Sequence, residues 1–296
     1  MTDTALDSQA PDSLASQDPS RGVPPVKMRL RQGLAVTRIQ VRRTLRSRRA
    51  IGLYLLALLP VGIMALQFVI VSVFAQGQLT VGNVTGRFAA FFNLLILAMV
   101  VFFGSAAVFS NAVRREVLER TLHFYFLMPV HRGVLMAGLY LGGFVAMGSV
   151  IAVSTLASFV LAYLPAGTGA FAQFLFQGPG LGHLLRYLLL ALVGVAGYGA
   201  VFFTLGLFFR RPALPVIGVF GWEVLVPFLP PLLKKISIAY YLGALTPVPI
   251  TQEAFAVLAE YPSPWAAVLG LLVVIAALLA IAGWKASRLE ILYGED

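Results

Sequence analysis

Six runs of apolar residues, each long enough to cross a lipid bilayer, constrain this chain more than any other feature. A helix needs about 20 apolar residues to cross the hydrocarbon core. The chain is 59% hydrophobic and only 11% charged, whereas soluble domains carry about 25% charged residues. The sequence therefore predicts an all-α integral membrane protein whose residues 50–286 form a six-helix transmembrane domain. The expected spans are about 50–75, 88–110, 134–164, 187–209, 212–233 and 264–284.

Basic residues are concentrated on one side of the six predicted spans. Between Lys27 and Arg49 there are nine positive residues and no acidic one. If the amino terminus is cytoplasmic, 18 of the 22 lysines and arginines lie on the cytoplasmic side and 4 lie outside. Because such an excess marks the cytoplasmic side, we expect a multi-pass protein of the cell (inner) membrane. Both termini, the polar, disordered tail 1–26 and residues 287–296, would be cytoplasmic.

The segment 27–49, before the first span, has the pattern of a basic amphipathic helix. Within about 60° of one another on a helical wheel lie Leu30, Leu34, Val41 and Leu45. The adjacent stripe is formed by Arg31, Arg38, Arg42 and Arg49. This pattern is typical of a helix that lies in the membrane interface, with its arginines on anionic headgroups. We therefore expect membrane lipids as partners. Nucleic acid is not expected, because neither aromatic residues between the arginines nor a nucleic-acid-binding fold accompanies them.

The residue types that most enzymes need are missing or scattered. The chain has no cysteine, which excludes disulfides, zinc–thiolate sites and iron–sulfur clusters. It has no GxxxxGK[ST] phosphate-binding loop. His123, His131 and His183 are too scattered to form a metal site on one element. We therefore expect no catalytic residue, no metal and no cofactor in this chain, and interpret it as a conduit or a scaffold.

One carboxylate, Glu223, lies well inside a predicted span. An ionisable group at the centre of a span costs about 3 kcal/mol to insert and usually faces a cavity or a partner. Two interpretations remain open from the sequence. Glu223 and its neighbour Trp222 are candidates for the substrate path, or Glu223 is a structural carboxyl that is hydrogen-bonded across helices. Prolines bracket this span at Pro212, Pro215, Pro227, Pro230 and Pro231.

The loop 111–133, between the second and third spans, is the only substantial charged connection between spans. Its charges are spaced for a helix, because Arg115 with Glu119 and Glu116 with Arg120 are i,i+4 pairs. Pro129 is expected to end that helix, because a proline disfavours the helical conformation of the residue before it. A short charged helix on the cytoplasmic side is suited to docking of a soluble partner.

The residues of this loop resemble a known signature. Glu116, the run Glu119-Arg120-Thr121-Leu122, and the run Pro129-Val130-His131-Arg132 that leads into an apolar helix are similar to the type 2 ABC exporter permease family. Members of that family have a glutamate, then Gly-Thr-Leu, then Pro-Val-x-Arg. Arg120 stands where the family usually has glycine. The basic helix, the six spans, the cytoplasmic termini and an extracellular element, here 236–262, are also similar.

The resemblance implies the membrane subunit of an ATP-driven exporter. It implies a second permease copy, identical or related, and two separate ATPase subunits that bind ATP and Mg. The residues implied to dock the ATPase are Arg115, Glu116, Glu119, Arg120, Thr121, Leu122, Pro129 and Arg132. Two alternatives remain open. The chain could be a secondary transporter with Glu223 as its coupling carboxylate, or a membrane scaffold that recruits a cytosolic complex and transports nothing.

Overall fold

The described part of the chain is helical, as the apolar runs predict. The structure is a computed structural model, and it describes residues 26–48, 50–74, 80–118, 132–209, 211, 213–248 and 261–287, without the side chains of 26, 27, 29, 113–118, 132 and 287. Its α-helices are α1 (Val26–Arg46), α2 (Ala50–Phe74), α3 (Val81–Phe91), α4 (Phe102–Leu118), α5 (Arg132–Tyr163), α6 (Thr168–Phe176), α7 (Gly180–Phe208), α8 (Ala213–Leu225), α9 (Pro231–Lys234), α10 (Ile238–Ala244) and α11 (Pro264–Ser287).

Within these described ranges, five helical segments are long and apolar enough to cross a membrane. They are Ala50–Phe74, Val81–Ala112, Gly133–Ala166, Gly180–Phe208 and Pro264–Ala286. The chain is therefore a multi-pass, all-α membrane protein. The second and fourth of these segments each begin seven residues earlier than the sequence predicted, at 81 and 180 instead of 88 and 187.

The apolar run predicted as a single span at 212–233 forms a shorter helix. α8 ends at Leu225 and passes into one 3-10 turn, Val226–Phe228. The apolar helix Ala213–Phe228 is shorter than the roughly 20 residues that a straight crossing needs. Pro230 and Pro231 follow directly, and proline ends helices because it has no amide hydrogen to donate and its ring clashes with the preceding turn.

Helices α5 and α7 form the centre of the bundle. α5 contacts α1, α2, α4, α7 and α11, and α7 contacts α4, α5, α10 and α11. α7 runs antiparallel to α5, since the Tyr140 hydroxyl donates to the Ala196 carbonyl at 2.8 Å and Gly148, further along α5, lies beside Leu192. α2 and α11 lie at the periphery, and most of their residues are not buried.

The helix predicted at 27–49 is present as α1, and it packs along the first part of α5. Val36 lies against Gly138 and Gln40 lies against Gly142, so the two helices run in the same direction. The Thr37 hydroxyl adds a hydrogen bond of 3.3 Å to the Gly138 carbonyl. α5 has 32 residues and is about 48 Å long at 1.5 Å per residue. Its length accommodates α1 beside its first part and α2 beside its second.

A π-helical segment, Phe92–Val101, joins α3 to α4 within one continuous apolar helix. Side chains on one side of this segment are fully buried, among them Phe92, Ile96 and Val100. Val101, its last residue, faces Gly194 of α7. A π-helix is rare beyond a single turn and often lies near a functional site. Nothing in the sequence of this run, which contains no proline or glycine, indicated it.

Candidate functional site

The helix of the fifth apolar run ends early, and a second short helix, α10, follows beyond the run after a break. Phe220 of α8 packs on Phe102, with 5.6 Å between ring centroids, and Phe102 also packs on Tyr198 of α7 at 5.1 Å. α10 begins beside the same part of α7, where Ile238 contacts Gly197. The end of α8 and the start of α10 therefore lie at the same level of α7. The intervening residues 226–237 form a detour that contains α9.

Glu223 reaches across this break from the last turn of α8 to the first residues of α10. The Ser237 hydroxyl donates to one oxygen of the Glu223 carboxylate, and the Ile238 amide donates to the other at 3.3 Å. Ser237 is the N-cap of α10, since its hydroxyl also accepts from the Tyr240 amide at 3.3 Å. The Tyr198 side chain of α7 interacts with the same carboxylate. Glu223 thus connects three helices.

Lys234 joins two parts of the detour, from α9 back to the 3-10 turn that follows α8. Its ammonium donates to the Pro227 carbonyl at 3.0 Å, in the turn that ends α8. The side chain is only 5% exposed. The sequence placed Lys234 among the four basic residues on the outer side of the membrane; the structure buries it in the protein. Its charge compensates a backbone carbonyl at a helix end, where no amide of the same helix is available.

The signs of the two charges match the helix ends that they contact. A helix carries partial positive charge at its N-terminus and partial negative charge at its C-terminus. The Glu223 carboxylate lies at the N-terminus of α10, and the Lys234 ammonium lies at the C-terminal end of α8. Each charge would cost about 3 kcal/mol in an apolar span without such partners. This arrangement explains how two ionisable residues are accommodated beside an apolar run.

The hydrogen bonds of Glu223 fit the second of the two interpretations made from the sequence. The carboxylate is held by groups of the protein, as a structural carboxyl would be. Trp222, the other candidate for the substrate path, is half-buried beside it. Contact of either side chain with a substrate stays a prediction. Sequence reasoning missed Tyr198, Ser237 and Lys234 as members of this site, although Ser237 precedes a helix as an N-cap residue commonly does.

The predicted docking residues lie mostly outside the described residues. α4 extends to Leu118, so the backbone at Arg115 and Glu116 is helical, in agreement with the i,i+4 charge spacing. Arg132 is the first residue of α5. The remaining docking residues, which belong to a range that the structure does not describe, are Glu119, Arg120, Thr121, Leu122 and Pro129.

A small cleft lies between α1, the start of α2 and the end of α4. Its volume is about 150 Å³, and its polar lining comes from Gln40, Thr44, Ser47 and Asn111. Three of these residues follow one another on α1 and its last turn at spacings of four and three, so they share one face of the helix. The sequence shows this spacing, but the prediction for this helix was based on the arginine stripe, which lies on another face. The cleft is adjacent to the helix that leads into the loop 111–133.

The arginines predicted to anchor α1 are exposed where the structure describes them. Arg31, Arg38 and Arg42 are all exposed, whereas Arg49 lies outside the described residues. Two leucines of the apolar stripe, Leu30 and Leu34, are 63% and 68% exposed. These two leucines therefore face away from the bundle, whereas Val41 and Leu45 are half-buried. The interfacial position of α1 stays a prediction.

No model of a known protein family matches this chain, and no curated protein matches it.

Proposed function

We propose that this chain is the membrane permease subunit of an ATP-driven exporter. The observation that carries the proposal is the charged motif between Glu116 and Arg132, which resembles the docking loop of type 2 ABC exporter permeases. This loop connects α4 to α5, and both helices pack in the core of the bundle against α7. A force applied to the loop would therefore act directly on the core.

The direction of the helices supports six crossings. α11 runs in the same direction as α7, since Leu271 lies beside Gly197 and the Thr204 hydroxyl donates to the Leu278 carbonyl at 3.0 Å. Two consecutive long helices that run the same way require the chain between them to return across the membrane. α8 and α10 supply that return as a broken crossing. An even number of crossings places both termini on one side, and the basic residues favour the cytoplasmic side.

The proposed complex consists of two permease chains and two ATPase subunits. ATP and Mg would bind to the ATPase subunits, and this chain would contribute no catalytic residue. The second permease chain would be identical to this one or related to it. α1 would lie at the cytoplasmic interface of the membrane, with its exposed arginines on lipid headgroups and its exposed leucines in contact with acyl chains. The broken crossing would line part of the substrate path, as discontinuous helices do in other transporters.

The test is purification of the chain from its native cell in a mild detergent. We expect an ATPase subunit with vanadate-sensitive activity to co-purify. Reversing two charges of the motif, with Glu116→Lys and Glu119→Lys together, should reduce the recovered ATPase activity roughly tenfold, because a loss of about 1.4 kcal/mol in binding changes the affinity tenfold. The matched control is Glu260→Lys, which makes the same change of charge in the predicted external element and should leave the recovered activity unchanged.

Other outcomes would favour the two alternatives. A chain that purifies without an ATPase, and whose transport follows the proton gradient, would contradict the exporter and favour a secondary transporter. A co-purifying cytosolic complex without ATPase activity would favour a scaffold. Equal ATPase recovery from the double variant and from the wild type would contradict the docking role of the loop.

A further inference from the structure

The break between α8 and α10 is closed by two oppositely directed polar contacts. Glu223 extends from α8 to the start of α10, and Lys234 extends from α9 back to Pro227, in the 3-10 turn that follows α8. The partners of the carboxylate are well buried, with Ser237 at 1% and Tyr198 at 4% exposure. Each contact satisfies a backbone group at a helix end that would otherwise lack a partner.

The two half-helices are packed unequally. Ile238 and Leu242 of α10 are buried against α7, at 3% and 2% exposure, whereas α8 packs on α4 through Phe220. Several side chains of α8 are exposed, including Leu214 and Ile217 at 62% and 68%. The detour is exposed as well, at Leu232 and Ile236, while Lys234 and Ser237 within it are buried. The buried polar residues of the detour are thus the ones that hold it to the two helix ends. In α8 only Pro215 is buried, so the contacts of Glu223 and Lys234 contribute to the alignment of α8 with α10.

We propose that Glu223 and Lys234 are positioning residues that act as two latches, and that the half-helices α8 and α10 separate when these latches are released. In the closed arrangement the carboxylate holds α10 and α7 against the end of α8. Lys234 holds α9 against the 3-10 turn that follows α8 and so keeps the detour closed. Loss of either side chain frees one connection across the break. Any effect of this separation on transport rests on the proposed function, whereas the separation of the two half-helices does not.

The chain offers a direct way to measure this separation. It has no cysteine, so two introduced cysteines can be spin-labelled specifically in the full-length protein. Suitable positions are Ile217 on α8, which is 68% exposed, and Ala239 on α10, which is exposed. The distance between the labels is measured by pulsed electron paramagnetic resonance in lipid nanodiscs, without nucleotide or ATPase.

We expect a single narrow distance distribution in the doubly labelled protein. Glu223→Gln and Lys234→Gln should each broaden it and shift it to longer distances, by about one helical turn, ~5 Å. Lys235→Gln is the matched control, because Lys235 is adjacent and exposed, and it should leave the distribution unchanged. Lys234→Arg keeps a cationic donor and should restore the narrow distribution, which a general loss of packing would not allow.

Unchanged distributions in Glu223→Gln and Lys234→Gln would overturn the proposal. If either variant fails to accumulate in the membrane, Ser237→Ala provides the second measurement, since it removes one donor to the carboxylate without changing any charge. Ser263→Ala, a change at an exposed residue before α11, is its control. A distribution as narrow in Ser237→Ala as in Ser263→Ala would likewise contradict the latch. The absence of an ATPase partner would contradict the proposed function alone.

Discussion

Gly138 and Gly142 determine how closely α1 approaches α5. A Cβ atom at Gly138 would lie 2.8 Å from Val36 Cγ1, and one at Gly142 would lie 2.5 Å from Gln40 Cβ. Small residues allow helix backbones to approach in lipid, where van der Waals packing and not the hydrophobic effect holds helices together. Gly138 and Gly142 are four residues apart, a spacing typical of helix packing in membranes, and the structure identifies α1 as their partner.

Gly142→Ala is therefore expected to destabilise the protein. The added methyl group would lie 3.0 Å from the Thr37 carbonyl oxygen as well as against Gln40, so α1 would have to move away. Overpacking of this kind costs about 1–3 kcal/mol, which thermal unfolding in detergent would detect as a lower Tm. Gly62→Ala is the control, because no atom lies within 4 Å of a Cβ at that position. Equal Tm values for the two variants would contradict the close packing.

At the scale of the element, α1 has three distinct faces. The face on α5 is formed by Gly33, Val36, Thr37 and Gln40. The apolar stripe that includes Leu34 lies about 90° around the helix from this face, and the stripe that includes Arg38 lies about 160° from it. A protein face, an apolar face and a basic face side by side suit a helix that is attached to the bundle and touches lipid. Val36 is buried on the first of these faces, and the contacts of the other two faces with lipid and headgroups stay predictions.

The faces of α1 predict a difference in chemical reactivity. In proteoliposomes, a cysteine at Leu34→Cys should react slowly with a water-soluble maleimide, because lipid covers that face. Arg38→Cys should react quickly, because that face meets water and headgroups. Leu34 is 68% exposed and Arg38 is exposed as well, so the protein itself shields neither position. After unfolding in denaturing detergent, the two reaction rates should therefore become similar. Equal rates in proteoliposomes would argue against a lipid-facing stripe.

At the scale of the whole molecule, helix directions determine which loops share a side of the membrane. α5 and α7 are antiparallel, and α6, between them, lies at the end of the bundle opposite to the first residues of α5. If the basic residues mark the cytoplasmic side, α6 is external and the segment that joins α1 to α2 is internal. This assignment applies to every connection between spans, so one labelling experiment tests all of them.

Two single cysteines provide this test. Gln177→Cys, after α6, should react with a membrane-impermeant maleimide on intact cells, because it is exposed and predicted to be external. Ser47→Cys, after α1, should react only in everted membrane vesicles. No other thiol is present in the chain, so each signal comes from one site. The reverse pattern would show that both termini lie outside and would remove the cytoplasmic docking role of the loop 111–133.

The break at Pro230 illustrates the limit of reasoning from the apolar pattern. The prolines around the fifth run were visible and marked its ends as irregular, yet hydropathy continues through Leu232 and Leu233, so a single span to 233 was predicted. Hydropathy measures the free energy of transferring a residue from water to lipid. It does not record that a proline lacks the amide hydrogen that a helix needs. The helix ends because of backbone hydrogen bonding, and the detour is stabilised by Lys234 within it and by Glu223 of α8.

The sequence by itself determined that this chain is a multi-pass membrane protein, that the part described by the structure is helical, and where its longest helices lie. Those properties depend on the free energy of transferring consecutive residues into lipid, which is local in the chain. The tertiary structure alone decided that Glu223 joins α8 to α10 and that the glycines of α5 receive α1. A buried polar group or a glycine contact depends on which helices become neighbours, and residues as far apart as Thr37 and Gly138 meet only after the helices have packed.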